Sequence, residues 1–279
     1  MKIETLLGKD VQYSSHYDPK LLQPIPRNLG RGTAQLPGAT GQYPYHGEDI
    51  WNVYEVSWLS ANGKPEVAIA EIRVPATSEF LIESKSLKLY FNSFNMTRIE
   101  NAASLTAILE GDLGQAAGGK VNVTLTLANQ FDGVQVAEPT GICLDELECN
   151  DFSYKVDPLL LTADPESTSA SETLFSRLFR SCCPVTGQPD WATVQVSYEG
   201  RKIERAGLLR YLVSYREHTG FHEACVEQIF HHLMEQCRPD YLEVSARFTR
   251  RGGIDINPVR STSASNSARQ WPNIRDPRQ

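Results

Sequence analysis

The spacing of apolar and polar residues divides this chain into period-two and helical stretches. Residues 50–60 (IWNVYEVSWLS) are rich in aromatic and β-branched types and read as a strand. Residues 61–65 (ANGKP) form a turn, and 66–74 (EVAIAEIRV) make the return strand. A helix is predicted from near Ser84, with Leu87, Tyr90, Phe91 and Phe94 at helical spacing, and a second over about 100–113. Residues 120–128 (KVNVTLTLA) alternate as a strand. Residues 162–173 (TADPESTSASET) are small and polar, the composition of a linker. Beyond it the order recurs. Residues 192–200 read as a strand, 203–218 as a helix with Leu208, Leu212 and Tyr215 on one face, 222–236 as a helix with Val226, Ile229, Phe230 and Leu233 on one face, and 241–250 as a strand. Residues 173–180 (TLFSRLFR) fit strand or helix by period alone. The repeat of hairpin, two helices and strand resolves them as a strand paired with 192–200. The expectation is an α+β protein with an arm over 1–47, a first module over 48–161, a linker over 162–173, a second module over 174–260, and a polar, mobile tail over 261–279.

At 279 residues, with 41% apolar and 22% charged content, the chain can bury a substantial core. A net charge of −7 gives no general attraction to nucleic acid or anionic lipid, and no basic cluster exceeds Arg247, Arg250 and Arg251. The first twenty residues hold acids and no apolar core of leader length, and no apolar run reaches membrane-spanning length, so a cytoplasmic protein is expected. The cysteines are Cys143, Cys149, Cys182, Cys183, Cys225 and Cys237; they form no CxxC array, so no metal site is expected and all six are read as reduced thiols. Gly30-Arg31-Gly32 lacks the third glycine and the preceding strand of a dinucleotide fingerprint and is not read as one.

The candidate chemistry centres on Ser181 to Trp191, where Pro184, Gly187 and Pro189 shape a loop carrying a thiol at Cys183 and a carboxyl at Asp190. A loop that folds back brings the two together. A thiolate is a good nucleophile, and a nearby acid can protonate what it attacks. The bland alternative is a buried cysteine and a turn-closing aspartate.

Three segments together resemble the nitrile oxidoreductases of queuosine biosynthesis (QueF), in their long two-module form. They are Glu83-Ser84-Lys85-Ser86-Leu87-Lys88-Leu89-Tyr90, Cys183-Pro184-Val185-Thr186-Gly187-Gln188-Pro189-Asp190, and Phe221-His222-Glu223 with Thr249 to Pro258 further on. The resemblance implies two tandem tunnelling-fold modules, each an antiparallel sheet with two helices on one face. It also implies NADPH-dependent reduction of the nitrile of 7-cyano-7-deazaguanine to 7-aminomethyl-7-deazaguanine through a covalent thioimide. Cys183 is the implied nucleophile, with adjacent Cys182 taken as packing, Asp190 the implied acid, and His222 a substrate-site residue that also assists proton transfer. Glu223 is the first candidate for the guanine-like edge of the substrate and Glu83 the second, with Ile82, Ser84 and Phe221 completing the substrate set. Without a ligand, Glu223 reads as a first-turn helix acid, and Phe221 as core. His231 and His232 read only as surface cap residues. Ser84, Lys85, Arg251 and Gly252 are the implied NADPH residues, while Lys85 and Lys88 otherwise read as a solvated helix face. The first half has the ESKS-type signature without the thiol loop, and the second the reverse, so an active site formed between modules is expected. A homodimer is also expected, with no nucleic-acid partner. Three other readings compete: a thiol-dependent amidohydrolase or transferase on a purine-like ring, a zinc cyclohydrolase, and a non-enzymatic interaction protein.

Overall fold

The structure, a computed structural model, describes residues 13–33, 45–264 and 271–279. It is an α+β protein whose contacts separate two units. The first comprises the described residues of Met1–Leu29, Glu48–Gln135 and Arg250–Ile256; the second, those of Gly30–Gly47, Val136–Thr249 and Asn257–Gln279. Residues 136–161, assigned above to the first module, therefore cluster with the second unit.

In the first unit β1 (Pro24–Pro26) leads into α1 (Arg27–Thr33), which runs on into the second unit. The hairpin follows as β2 (His46–Leu59) and β3 (Pro65–Pro75). Short β4 (Phe80–Ile82) pairs with β1, a two-stranded sheet the periodicity does not announce. The helices α2 (Ser84–Asn92) and α3 (Ala102–Ala117) come next, and β5 (Asn122–Leu127) returns antiparallel to β3. The core gathers Trp51, Val53, Ala70 and Ile72 from the hairpin, Leu87, Tyr90 and Phe94 from α2, and Leu105, Leu109 and Leu113 from α3. Those α3 residues recur every four positions, which lays one stripe of leucines against the sheet.

The second unit repeats the plan. After β6 (Ile142–Cys143), β7 (Ala170–Cys182) and β8 (Pro189–Gly200) form the hairpin, so strand begins inside the expected linker, and 173–180 is strand as the repeat required. Then come α4 (Arg205–Val213), α5 (His222–Cys237) and β9 (Tyr241–Phe248), which pairs with β8. The helix read over 203–218 is α4 plus one tight turn over Ser214–Glu217. Both hairpins carry one bulge at the same place, between Val53 and Val56 and between Ser176 and Phe179. Both first helices begin at a glutamate whose two oxygens take backbone N–H groups: Glu83 from Lys85 and Ser86, Glu204 from Ala206 and Gly207.

A final strand, β10 (Ile254–Ser261), is not marked by alternation. Every one of its side chains is buried, polar ones included, and Asp255, Asn257 and Arg260 each have a buried partner. Asp255 accepts from Asn52 Nδ2 at 2.7 Å and Tyr54 Oη at 2.6 Å. Arg260 donates through Nη2 to Glu227 at 2.7 Å, and Arg31 grips the same carboxylate with two bonds of 2.8 Å. Gly30-Arg31-Gly32 is thus a docking segment: a Cβ on Gly30 would lie 3.3 Å from that of Ala224 on α5. The tail expected to be mobile is ordered over 271–279. Trp271 is buried and donates to Glu243, Thr193 donates to Asp276, and Gln279 bonds Asn257 and the Phe248 carbonyl. The parts of the arm over 1–12 and 34–44, and of the tail over 265–270, lie outside the described residues.

Candidate active site

The β7–β8 hairpin places the thiol and the acid. Cys182 is the last residue of β7 in register, opposite Pro189. Beyond it Cys183 N donates to the Gln188 carbonyl at 2.8 Å, and Gly187 N donates back to the Cys183 carbonyl at 2.9 Å. Gly187 takes φ +69°, which the reversal requires and glycine permits. Cys183 therefore sits one residue past the final ladder pair, and Asp190 one residue inside it on the other strand. Their exposures are 6% and 4%. Cys182 is half-buried, with Sγ 3.8 Å from Arg180 Nη2.

Helix α5 brings the histidine. Phe221 is its extended cap residue and is half-buried, so His222 opens the helix. His222 Nε2 stands 3.3 Å from Asp190 Oδ2. Its ring lies flat on Phe248 at 3.9 Å between centroids and 19° between planes, fixing the imidazole toward the acid. Glu223 follows in the first turn, buried, where the helix N-terminus favours a negative charge. Two residues on, burial pushes the Cys225 thiol up to about 12, and the Asp190 and Glu223 carboxylates add to the rise. Cys225 is therefore a protonated neighbour of both acids, unsuited to act as nucleophile.

The remaining candidates belong to the first unit. Ile82 is buried at the end of β4, opposite Pro24. Glu83 is buried; burial raises its carboxyl, and the N–H bonds from Lys85 and Ser86, at 2.9 and 2.7 Å, oppose that rise. Its two oxygens already cap α2. Ser84 and Lys85 form the half-buried first turn of that helix. Arg251 and Gly252 lie in the turn after β9, where Arg251 N donates to the Ile254 carbonyl at 2.9 Å and Ile254 N donates back at 3.2 Å. Gly252 and Gly253 take φ +60° and +80°, the pair of left-handed residues a tight two-residue turn demands. Arg250 lies 4.3 Å over the Tyr54 ring. An exposed glycine backbone preceded by two guanidinium-bearing residues suits a phosphate-bearing cofactor.

His232 is not the surface cap residue expected. It is buried, with Nδ1 2.8 Å from Tyr211 Oη, which is 2.8 Å from Tyr215 Oη. His231 is half-buried, 3.8 Å from Glu235. The sequence reading missed Phe248 and Cys225 as neighbours of the site. The i, i+3 spacing of His222 and Cys225 on one helix could have flagged the latter. Nothing in the sequence ties Phe248 to His222. Among the described residues no group of three His, Cys, Asp or Glu is arranged to hold a metal ion, and no helix is long and apolar enough to cross a membrane.

Two family models match. One, described as "Nitrile reductase, 7-cyano-7-deazaguanine-reductase N-term", covers residues 13–125, and one described as "QueF-like protein" covers 189–267. Relatives named NADPH-dependent 7-cyano-7-deazaguanine reductase include that of Bordetella avium, 51% identical over 261 residues that span 94% of each chain. That of Dechloromonas aromatica is 51% identical over 92% of this chain and 89% of its own, and that of Desulfotalea psychrophila 48% identical over 92% of each. A solved apo archaeosine synthase QueF-Like structure aligns over 34% of this chain and 94% of its own at 18% identity and a TM-score of 0.30, too slight a likeness to bear on the fold. With half its residues identical to these relatives over nine-tenths of its length, the chain belongs to the NADPH-dependent 7-cyano-7-deazaguanine reductase family.

Proposed function

We propose that this chain is an oxidoreductase that reduces the nitrile of 7-cyano-7-deazaguanine to the primary amine with NADPH, through a thioimide on Cys183. The observation that carries the reading is the buried Asp190 carboxyl, 3.3 Å from His222, at the closing pairs of the hairpin whose turn holds Cys183. A nitrile carbon accepts hydride poorly. The Cys183 thiolate adds to it, a C–S bond forms, one C–N π bond breaks, and the nitrogen takes a proton from Asp190. Bound NADPH supplies hydride, once to the thioimide and once to the imine that follows. Between the two reductions Cys183 leaves as a thiolate, which breaks the C–S bond and restores the nucleophile. His222 Nε2 stands where it can hand a proton back to Asp190.

Glu223 accepts the N–H donors of the guanine-like edge, a pairing that suits a carboxylate. Phe221 lies beside that edge, and Ile82, Glu83 and Ser84 complete substrate binding. Ser84, Lys85, Arg251 and Gly252 hold NADPH, the glycine turn allowing close approach of phosphate. The repeated hairpin and helix pair supports two tunnelling-fold modules, and we extend the proposal to a cytoplasmic homodimer, which light scattering on the purified chain would test.

The chemistry is tested by intact-protein mass spectrometry after mixing the chain with 7-cyano-7-deazaguanine in the absence of NADPH. Wild type gains the mass of the substrate, Cys183→Ala gains none, and added NADPH discharges the adduct as amine. A wild type that forms no adduct and consumes no NADPH would refute the proposal.

A further inference from the structure

We infer that Lys88 is a positioning residue for the cofactor: it holds the Arg251–Gly252 backbone in the shape that receives a phosphate. The inference rests on the assignment of that turn to NADPH above. Ser84 and Lys88 are four residues apart on α2 and share one face. Lys88 Nζ donates to the Gly252 carbonyl at 2.8 Å and stands 3.2 Å from Glu55 Oε2. Tyr54 N, next to Glu55 in β2, donates to the Gly253 carbonyl at 2.9 Å. Both carbonyls of the glycine pair are therefore held by the first unit's own donors.

That arrangement has a directional effect. In a trans peptide the C=O of one residue and the N–H of the next point opposite ways, and no peptide bond here is cis. Anchoring the Gly252 carbonyl on Lys88 thus aims the Gly253 N–H away from α2. Arg251 and Arg250 precede this N–H by two and three residues in the chain. The turn fits its supports closely. A Cβ on Gly252 would lie 3.3 Å from Lys88 Cδ, and one on Gly253 would fall 2.6 Å from the Glu55 carboxyl carbon. Glu55 offsets the ammonium charge of Lys88, so Lys88 acts here as a hydrogen-bond donor more than as a cation.

The fold itself does not call for a lysine at this position. Counting from the capping glutamates Glu83 and Glu204, the residue of α4 that corresponds to Lys88 is Leu209, which is buried in the second unit's core. Lys88 is 28% exposed, so its replacement removes little core.

The test uses the full chain as wild type, Lys88→Met, Lys88→Gln and Glu55→Gln. It measures NADPH affinity by calorimetry, KM for NADPH, and the substrate adduct formed without NADPH. Lys88→Met is expected to raise Kd and KM for NADPH about tenfold, the size of one lost charged hydrogen bond. Lys88→Gln, which keeps a donor, should recover part of that loss. Glu55→Gln should weaken NADPH about twofold, since the support for Lys88 loosens. Adduct yield should stay at the wild-type level in all three. Lys88→Met binding within twofold of wild type overturns the inference. So does tighter NADPH binding by Glu55→Gln with Lys88→Gln as poor as Lys88→Met, since Lys88 would then act as a bare charge. A wild type that forms the adduct but binds no NADPH overturns the assignment of the turn, and this inference with it; the separate adduct measurement tells the cases apart.

Discussion

At the end of the first hairpin Leu59 pairs with Pro65, and Ser60 and Glu66 flank that pair; at the end of the second, Cys182 pairs with Pro189, and Cys183 and Asp190 take the same two places. The helices that follow match as well. Buried Leu105, Leu109, Leu113 and Ala117 of α3 correspond to buried Cys225, Ile229, Leu233 and Cys237 of α5. On that alignment His222 and Glu223 answer to Ala102 and Ala103. Glu66 is partly exposed and lies 3.5 Å from Lys64, whereas Asp190 is buried beside His222. One backbone plan therefore carries a hydroxyl, a solvated acid and two alanines in one copy, and a thiol, a buried acid, a histidine and a second acid in the other. The two copies differ in the burial of the acid and in the packing of the imidazole on Phe248.

The largest test of this contrast is Asp190→Asn against Glu66→Gln. The first should lower turnover at least about a hundredfold, and the second should leave it within about twofold, read from NADPH consumption at 340 nm. Equal losses would erase the distinction between the copies. Next come the capping glutamates. Glu83→Ala and Glu204→Ala should each cost about 1–2 kcal/mol in urea unfolding. Only Glu83→Ala should also raise KM for NADPH, because only that cap sets the turn holding Ser84 and Lys85. The smallest effect concerns equivalent partners of two tyrosines: Asp112 accepts from Tyr90 at 2.6 Å, and His232 meets Tyr211 at 2.8 Å. Burial, then nearby His231, pushes the His232 imidazole from 6.5 down to about 4. Between those values the unfolded chain binds a proton that the folded one does not, so stability is lost as pH falls from about 6.5 toward 4. The melting temperature of wild type should decline over that window, and that of His232→Asn should decline less. Parallel curves would show that His232 titrates normally.

Much of the fold is legible because ordinary alternation and helical stripes mark it. The hairpins, the four main helices and β9 follow from which residues are apolar. The repeat also decides 173–180, where periodicity alone is undecided. β10 escapes because Asp255, Asn257 and Arg260 are buried with partners far away in sequence, so no local pattern separates in from out. The ordered tail escapes for the same reason: Trp271, Asp276 and Gln279 gain their burial from β8, β9 and β10, and a polar, proline-containing stretch shows none of that. At the site, Cys183 and Asp190 share one loop and are readable together. The Asp190–His222 pair joins a strand to a helix 32 residues on, so no local pattern marks it.

The buried Asp255 has a consequence for how the protein is made. Its partners Asn52 and Tyr54 precede it by 203 and 201 residues. At roughly 5–20 residues per second on the ribosome, β2 waits about 10 to 40 s for the residue that satisfies it. Ile254 and Ile256, which complete the same core, emerge in the same final stretch. The bonds that Asn52 and Tyr54 make to Asp255 are therefore late events in the assembly of the first unit, made long after its hairpin has been synthesised.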